Sequence, residues 1–472
     1  ANDVINILLR HGVEVLRTTE AMKVKNAIDF RTGKPGDKSF PAGSILVTTK
    51  QPQHLFITTL MERNMAIEDS VMYDMSTWSA PLAYNLDAYS LTSAPFVGTE
   101  EITKEQTAKN GFNKASEAYA YVINWNQRHA PKALAKLWEK KYRVRSSDAA
   151  FTDQNGKTYP PGTLIVLAGR NLEKKDVIED DLEMIAKSTG VVIDSYQSGR
   201  MKTGMDLASS KNRPVKQPKV AMLVEPPFNT YTCGQIYFLF DQETELPVER
   251  VRASVLQQTA LPKFGSRYGL ADINNYDVLI LAGGGNALKQ LFPKEQLAVL
   301  KDWVSRGGTI VATESAANFF TKKASGFTNV EIKASKRDTS EQANYVTYED
   351  RQDYFGKKRI PGTALNAVID DSHPLAFGVD PTVYSLKFGT DAYVPSTAFQ
   401  TVGHYHKDAD QLAVAGYAST ENLKHLAGGA FAGVANVGRG KVVFLLDNAH
   451  YRMFWRGPSR MMQNAVMLMP GF

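Results

Sequence analysis

The run Asp277-Val-Leu-Ile-Leu-Ala-Gly-Gly-Gly285 constrains the fold more than any other part of the chain. Five consecutive apolar residues leave no polar face, so a strand there must be covered on both sides, as in a parallel sheet between layers of helices. The neighbouring sequence keeps that rhythm. Val220 to Val224 reads as a strand, Cys233 to Phe240 as a helix and Val248 to Val251 as a strand. A helix from Lys294 to Arg306 closes at Gly307-Gly308, and Thr309 to Thr313 follows as another buried strand. Strands alternating with helices from Lys219 onward predict a doubly wound α/β sheet.

The N-terminal half carries a different signal, an internal repeat of pattern. The helix Val4 to Arg10 leads through His11-Gly12 to a strand, Val13 to Leu16, then a polar loop, then Phe40-Pro41-Ala42-Gly43-Ser44-Ile45-Leu46-Val47. Further on, Pro131 stands at a helix N1 position, Leu134, Leu137 and Trp138 form an apolar face, and Tyr142 to Arg145 is a strand. Tyr159-Pro160-Pro161-Gly162-Thr163-Leu164-Ile165-Val166 then repeats the string. Proline fixes φ, glycine takes the turn and aliphatic residues launch a buried strand, so two copies of one small α/β unit are expected to superpose, residues 1–100 on 130–200. Tyr73 to Leu82 suits a packed surface loop, and Lys211 to Pro218, with two Pro and three Lys or Arg, reads as a linker.

At 472 residues the chain has room for about three domains. The boundaries read as 1–110 for the first unit, 111–217 for the second unit with its linker, and 218–472 for the α/β sheet, with an exposed insertion at 322–358. The 55 Lys and Arg against 49 Asp and Glu leave only +6 over the whole length, which does not describe a nucleic-acid footprint. The longest apolar stretches fall far short of the ~18 residues that a helical membrane span needs. One cysteine, Cys233, rules out an intrachain disulfide and cysteine-based zinc spacing. A first residue Ala1 with a helical pattern starting at once leads us to expect the C-terminal part of a longer precursor.

Three strings carry a resemblance: Asp277 to Gly285, Trp303-Val-Ser-Arg-Gly-Gly-Thr-Ile-Val311, and Gly438-Arg-Gly-Lys-Val-Val-Phe444 with Arg452 to Arg456 after it. They make Lys219 to Phe472 similar to a class I glutamine amidotransferase-like, flavodoxin-like domain. Leu8 to Val15, the Phe40 to Gly43 turn and Tyr73-Asp-Met-Ser-Thr-Trp78 resemble the region that follows the peptidase domain in large secreted bacterial zinc carboxypeptidases of the carboxypeptidase A type. The resemblance implies a secreted or periplasmic protein whose catalytic domain lies upstream of Ala1. The zinc chemistry of that family needs a His-x-x-Glu pair and a distant His. His11-Gly-Val-Glu14 with His129 has that spacing, but His11 closes a helix and Glu14 falls in the following strand, so no metal site is expected.

The amidotransferase-like fold places a nucleophile, usually Cys, on the turn between a strand and a helix. Here that turn reads Thr309-Ile-Val-Ala-Thr-Glu-Ser-Ala-Ala-Asn318, without Cys, so glutaminase chemistry is not expected. Ser315 takes the nucleophile-like position, with Thr313 and Ala317 small enough for a tight elbow. The flanking glycines of the fold's serine-peptidase branch are missing, and the charge of Glu314 disfavours an oxyanion. A hydroxyl that simply starts a helix is the plain alternative. His450, after a buried strand, and His373 are candidate bases. His404 and His406 are not expected to form a metal site. Gly283, Gly284 and Gly285, with Glu314, mark a ligand position at the sheet's carboxyl edge, although the run lacks the P-loop lysine.

The reading that follows is a non-catalytic accessory region of a zinc carboxypeptidase-like protein, needing no cofactor, for domain packing, oligomerisation or protein or glycan binding. Its expected partners are the upstream peptidase domain of the same precursor and further copies of itself. Two other readings stay open: a serine-type hydrolase using Ser315 with His450 or His373, and a small-molecule binder at the glycine turn.

Overall fold

The computed structural model describes residues 1–63, 77–93, 95, 97–252, 272–333 and 341–472. Its first part opens with α1 (Asn2–Arg10), whose Val4, Ile5 and Leu8 recur at helical spacing and are buried. β1 (Leu16–Thr18), β2 (Met22–Asp29), β3 (Pro35–Phe40), β4 (Ile45–Leu46), α2 (His54–Met61), α3 (Ala80–Ala83), β5 (Tyr89–Ser90) and β6 (Thr99–Glu101) follow. The second part runs β7 (Gly111–Asn113), β8 (Ala120–Ile123), α4 (Ala130–Glu139), β9 (Val144–Ser146), β10 (Phe151–Thr152), β11 (Thr158–Tyr159), β12 (Leu164–Leu167), α5 (Ile178–Thr189), β13 (Val192–Tyr196) and β14 (Arg213–Val215).

The duplication is visible bond by bond. β1 lies between β4 and β6, and β9 between β12 and β14, all antiparallel. At the shared turn Gly43 and Gly162 both have φ +85. Gly43 N donates to Thr18 O at 2.7 Å and Gly162 N to Ser147 O at 2.8 Å. The Ser44 and Thr163 hydroxyls each donate back to the preceding proline carbonyl, of Pro41 and Pro160, at 2.7 Å. Both helices end alike: Val13 N returns to Leu8 O and Tyr142 N to Leu137 O, across Gly12 (φ +69) and Lys141 (φ +64). This closure corrects the expected strand starts. Val13 and Tyr142 spend their N–H groups on the helix ends, so the strands begin at Leu16 and Val144. Within the expected loop Tyr73 to Leu82, Tyr73 to Ser76 lie outside the described residues, and Ala80, Pro81 and Leu82 are buried in α3.

The third part comprises β15 (Val220–Val224), α6 (Thr230–Phe238), β16 (Glu249–Arg252), β17 (Val278–Ala282), α7 (Lys294–Ser305), β18 (Thr309–Thr313), α8 (Ser315–Phe319), β19 (Pro361–Ile369), β20 (Thr382–Phe388), β21 (Gln400–Tyr405), β22 (Ala413–Ala415), β23 (Ala430–Val437), β24 (Gly440–Leu445) and α9 (Ser459–Met467). The order β16-β15-β17-β18-β24 is parallel throughout, and every residue of β17 and β18 is buried. β23, β21, β19 and β20 continue the sheet antiparallel, with β22 beside β19. α6 starts three residues before the expected Cys233 because the Asn229 side chain caps it, accepting from Tyr231 N at 3.0 Å and Thr232 N at 3.2 Å. In the stretch 322–358, residues 334–340 lie outside the described residues, Phe327 and Val330 are buried, and Tyr345 and Tyr348 are exposed.

The parts are cross-packed. Buried residues of the second part and of the large sheet form one apolar cluster. Trp125 Nε1 donates to Asn464 Oδ1 at 3.1 Å, and the buried Arg460 guanidinium donates to the carbonyls of Trp125, Gln127 and Arg128. β20 closes the sheet. Its carbonyls at Thr382 and Tyr384, two residues apart and so on one edge, accept from Asn85 Nδ2 and Trp455 Nε1.

Candidate functional site

The chain leaves β15 for β16 on one side of the sheet and returns to β17 on the other, so the carboxyl ends of β15 and β17 mark the reversal at which open α/β sheets have their crevice. Ligands of open α/β sheets bind at such a reversal. Three segments converge there: the glycine turn after β17, the turn between β18 and α8, and Asp447-Asn448 after β24.

The strained residue of the β18–α8 turn is Glu314, at φ +53 and ψ −133, one position before the expected Ser315. A non-glycine residue in that region costs about 1–3 kcal/mol and persists only where its surroundings hold it. Glu314 N donates to Leu445 O at 2.9 Å. Its carboxylate accepts from Thr232 Oγ1 at 3.0 and 3.1 Å and from Asn448 Nδ2 at 3.3 Å, and Asn448 Nδ2 also donates to Gln235 Oε1 at 2.8 Å. Burial pushes the Glu314 carboxyl above its ordinary range, the charge of Asp447 adds to this, and the two donors oppose it. The elbow of the fold is therefore present, and a carboxyl group held by α6 and the β24 exit occupies it.

Ser315 is the first, exposed residue of α8. His450 is buried at 1% exposure with neither ring nitrogen hydrogen-bonded, so it does not reach the Ser315 hydroxyl. Its Nε2 lies 3.9 Å from Glu243 Oε1, and Glu243 is paired with Arg456. Burial, with Arg456 and Arg128 nearby, pushes the imidazole down to about 3. His373 is farther from the crevice. β19 runs antiparallel to β24, so the loop after Ile369 lies at the amino edge of the parallel strands. There His373 Nδ1 accepts from Leu375 N and Nε2 faces Gln400 Oε1 at 3.4 Å.

Gly283, Gly284 and Gly285 all have positive φ, and a Cβ on the first two would stand 3.0 Å from Asn229 Cβ and 2.9 Å from Leu288 Cδ2. A Cβ on Gly285 would meet Ser315 Oγ at 3.6 Å. Positive φ at all three, with close packing of Gly283 on the α6 cap Asn229 and of Gly284 on Leu288, accounts for these glycines. The lone cysteine sits just behind. Cys233 donates to Leu223 O, and burial, then the charge of Glu314, pushes its thiol up to about 11. His11 stacks on Phe56 at 4.4 Å and its Nδ1 is bonded to Ile7 O, away from any ligand set with Glu14. Among the described residues no three His, Cys, Asp or Glu side chains converge as metal ligands.

Sequence reasoning missed the most heavily bonded group beside the crevice. Asp447 accepts from Lys387 Nζ at 3.0 Å, Ser385 Oγ at 2.5 Å and Tyr405 OH at 2.7 Å, with the Lys387 and Asp447 side chains 1% and 5% exposed. The only sequence signal was an acid placed directly after a buried strand.

No protein-family model matches the chain, and no curated protein matches it. Solved structures do align with it. PurLQS from Thermotoga maritima shares 13% identity over 53% of this chain and 97% of that chain, at a TM-score of 0.32. A putative ThuA-like protein from Bacteroides uniformis shares 10% over 56% and 94%, at 0.31. A second putative ThuA-like protein, from Parabacteroides merdae, shares 11% over 53% and 89%, at 0.33. By its own strand order and elbow, the C-terminal part has the flavodoxin-like fold of the class I glutamine amidotransferase-like type.

Proposed function

We propose that this chain is a non-catalytic accessory region of a secreted or periplasmic zinc carboxypeptidase-like protein, acting by packing against the peptidase domain. The observation that carries this reading is Glu314. The one position where this fold presents a nucleophile holds a carboxyl group tied to Thr232 and Asn448, and the adjacent Ser315 has no histidine in hydrogen-bonding reach. A nucleophilic serine needs such a base at about 2.6–3.2 Å, and an oxyanion formed beside a carboxylate would be repelled. The cross-packing of the first, second and third parts suits a region that presents one rigid surface.

Two measurements test the reading. A fluorophosphonate probe should leave the chain unlabelled, and the chain should copurify with the peptidase domain of its parent when the two are expressed together. Labelling that Ser315→Ala abolishes would make a serine hydrolase the better account, and failure to copurify would remove the accessory role.

A further inference from the structure

The two copies of the repeated unit differ at one strand. In the second copy β12 is flanked on both edges, by β9 on one side and β8 on the other, with Leu164–Leu167 antiparallel to Ala120–Ile123. Leu164, Ile165 and Val166 are consequently buried to 1% or less. The matching strand of the first copy, β4, pairs with β1, and among the described residues no strand lies along its other edge. The ladders of β4 on β1 and of β12 on β9 each hold two residue pairs, and the four-pair ladder of β12 on β8 is what the first copy lacks. Ile45, which the shared turn makes the counterpart of Leu164, is 38% exposed, and Leu46 and Val47 are only half-buried.

We propose that the free edge of β4 takes up one further strand, an extended uncharged segment of the parent polypeptide lying ahead of α1 and running antiparallel to β4. The inference rests on the reading of this chain as one region of a larger protein. The occupant follows from the duplication. In the second copy the strand that fills this place, Ala120-Tyr-Val-Ile123, precedes α4 by a connection of residues 124–129, and α4 corresponds to α1 through their identical C-terminal closures. All four residues of β8 are buried, so the missing strand should be similarly free of charge. Main-chain bonds along an exposed edge supply affinity to any extended segment, and the uncovered Ile45, Leu46 and Val47 favour an apolar one. The register of β8 on β12, Ile123 opposite Leu164 and Val122 opposite Ile165, puts the last residue of the incoming strand opposite Ile45.

The test uses the full chain in three forms: unaltered, with a second copy of residues 118–129 grafted ahead of Ala1, and with the same graft carrying proline at the position copied from Val122. Amide hydrogen exchange is read on peptides covering residues 44–48, with oligomeric state measured alongside. The graft should slow exchange there by about tenfold or more in a monomer, and the proline form should restore the original rate. Exchange unchanged by the graft, or already as slow in the unaltered chain, would overturn the proposal. Slowing that grows with protein concentration would assign the edge to a second copy and overturn it too. The graft needs no peptidase domain, so its failure is distinguishable from a failure to copurify with one.

Discussion

Replacing Lys387 and Asp447 singly and together gives the sharpest test of what holds the interior beside the crevice. The pair is almost wholly withdrawn from solvent, and Asp447 takes two further hydrogen bonds from Ser385 and Tyr405. Lys387→Met leaves the carboxylate with two hydroxyl donors but no countercharge, at about 3 kcal/mol, the lower end for breaking a buried pair. Asp447→Leu is the harsher change. It strands an ammonium 5.4 Å from the centre of the Tyr405 ring and orphans two hydroxyls at about 1–3 kcal/mol each, for about 5 kcal/mol or more. The double variant removes both charges and orphans only the hydroxyls, so it should be more stable than Asp447→Leu alone and cost about 2 kcal/mol. Urea unfolding of the four proteins, with equal slopes, gives the coupling energy directly. A double variant as unstable as the sum of the singles, or Lys387→Met within about 1 kcal/mol of the parent, would refute this account of the pair.

The repeated turn offers an internal control, because a Cβ on Gly43 meets nothing within 4 Å whereas one on Gly162 would stand 2.9 Å from Trp125 and Phe377. Thermal unfolding should show Gly43→Ala costing about 1 kcal/mol for its positive φ alone, and Gly162→Ala clearly more. Glu314 titrates higher when folded than its ordinary 4.5, so its contribution to stability is fully present below about pH 4.5 and is lost as pH rises through the folded value. Denaturation midpoints compared between parent and Glu314→Gln should show that decline only in the parent. His450 shifts the other way, from 6.5 to about 3, so the parent should lose stability as pH falls across that interval. His450→Leu should flatten that acid limb and, with no hydrogen bond to lose, should not be less stable at about pH 7.

The parallel sheet was legible because five successive apolar residues at Val278–Ala282 admit few other environments. The duplication was legible because a Pro-x-Gly turn is dictated by local backbone chemistry, and the same residues produce the same bonds at Gly43 and Gly162. The elbow was placed one residue late because a positive φ on glutamate is imposed by β18, β24 and α6 together, and only glycine would have announced it. Lys387 stays hidden within Thr382–Phe388 because a charged residue on an alternating strand looks solvent-facing until another strand brings Asp447 over it. His450 drew attention by following a buried strand, but Glu243 and Arg456 decide its surroundings, and Glu243 lies in a distant part of the sequence.

The hydrogen bonds from Asn85 and Trp455 to the outer edge of β20 bear on what else that edge can pair with. A closing strand with open carbonyls and amides invites pairing with another molecule, and natural sheets cover or blunt such edges. Here the cover comes partly from the first unit. Phe30, Leu82 and Ala83 pack in one cluster with Tyr384, Leu386 and Trp455. A chain begun near residue 111 would keep Trp455 and the second unit but shed Asn85 and that apolar lid, leaving Tyr384 and Leu386 uncovered along an edge with half its guard. Such a fragment would aggregate through β20 even with its own core intact, so the first unit acts as a guard against misassembly of the domain that follows it.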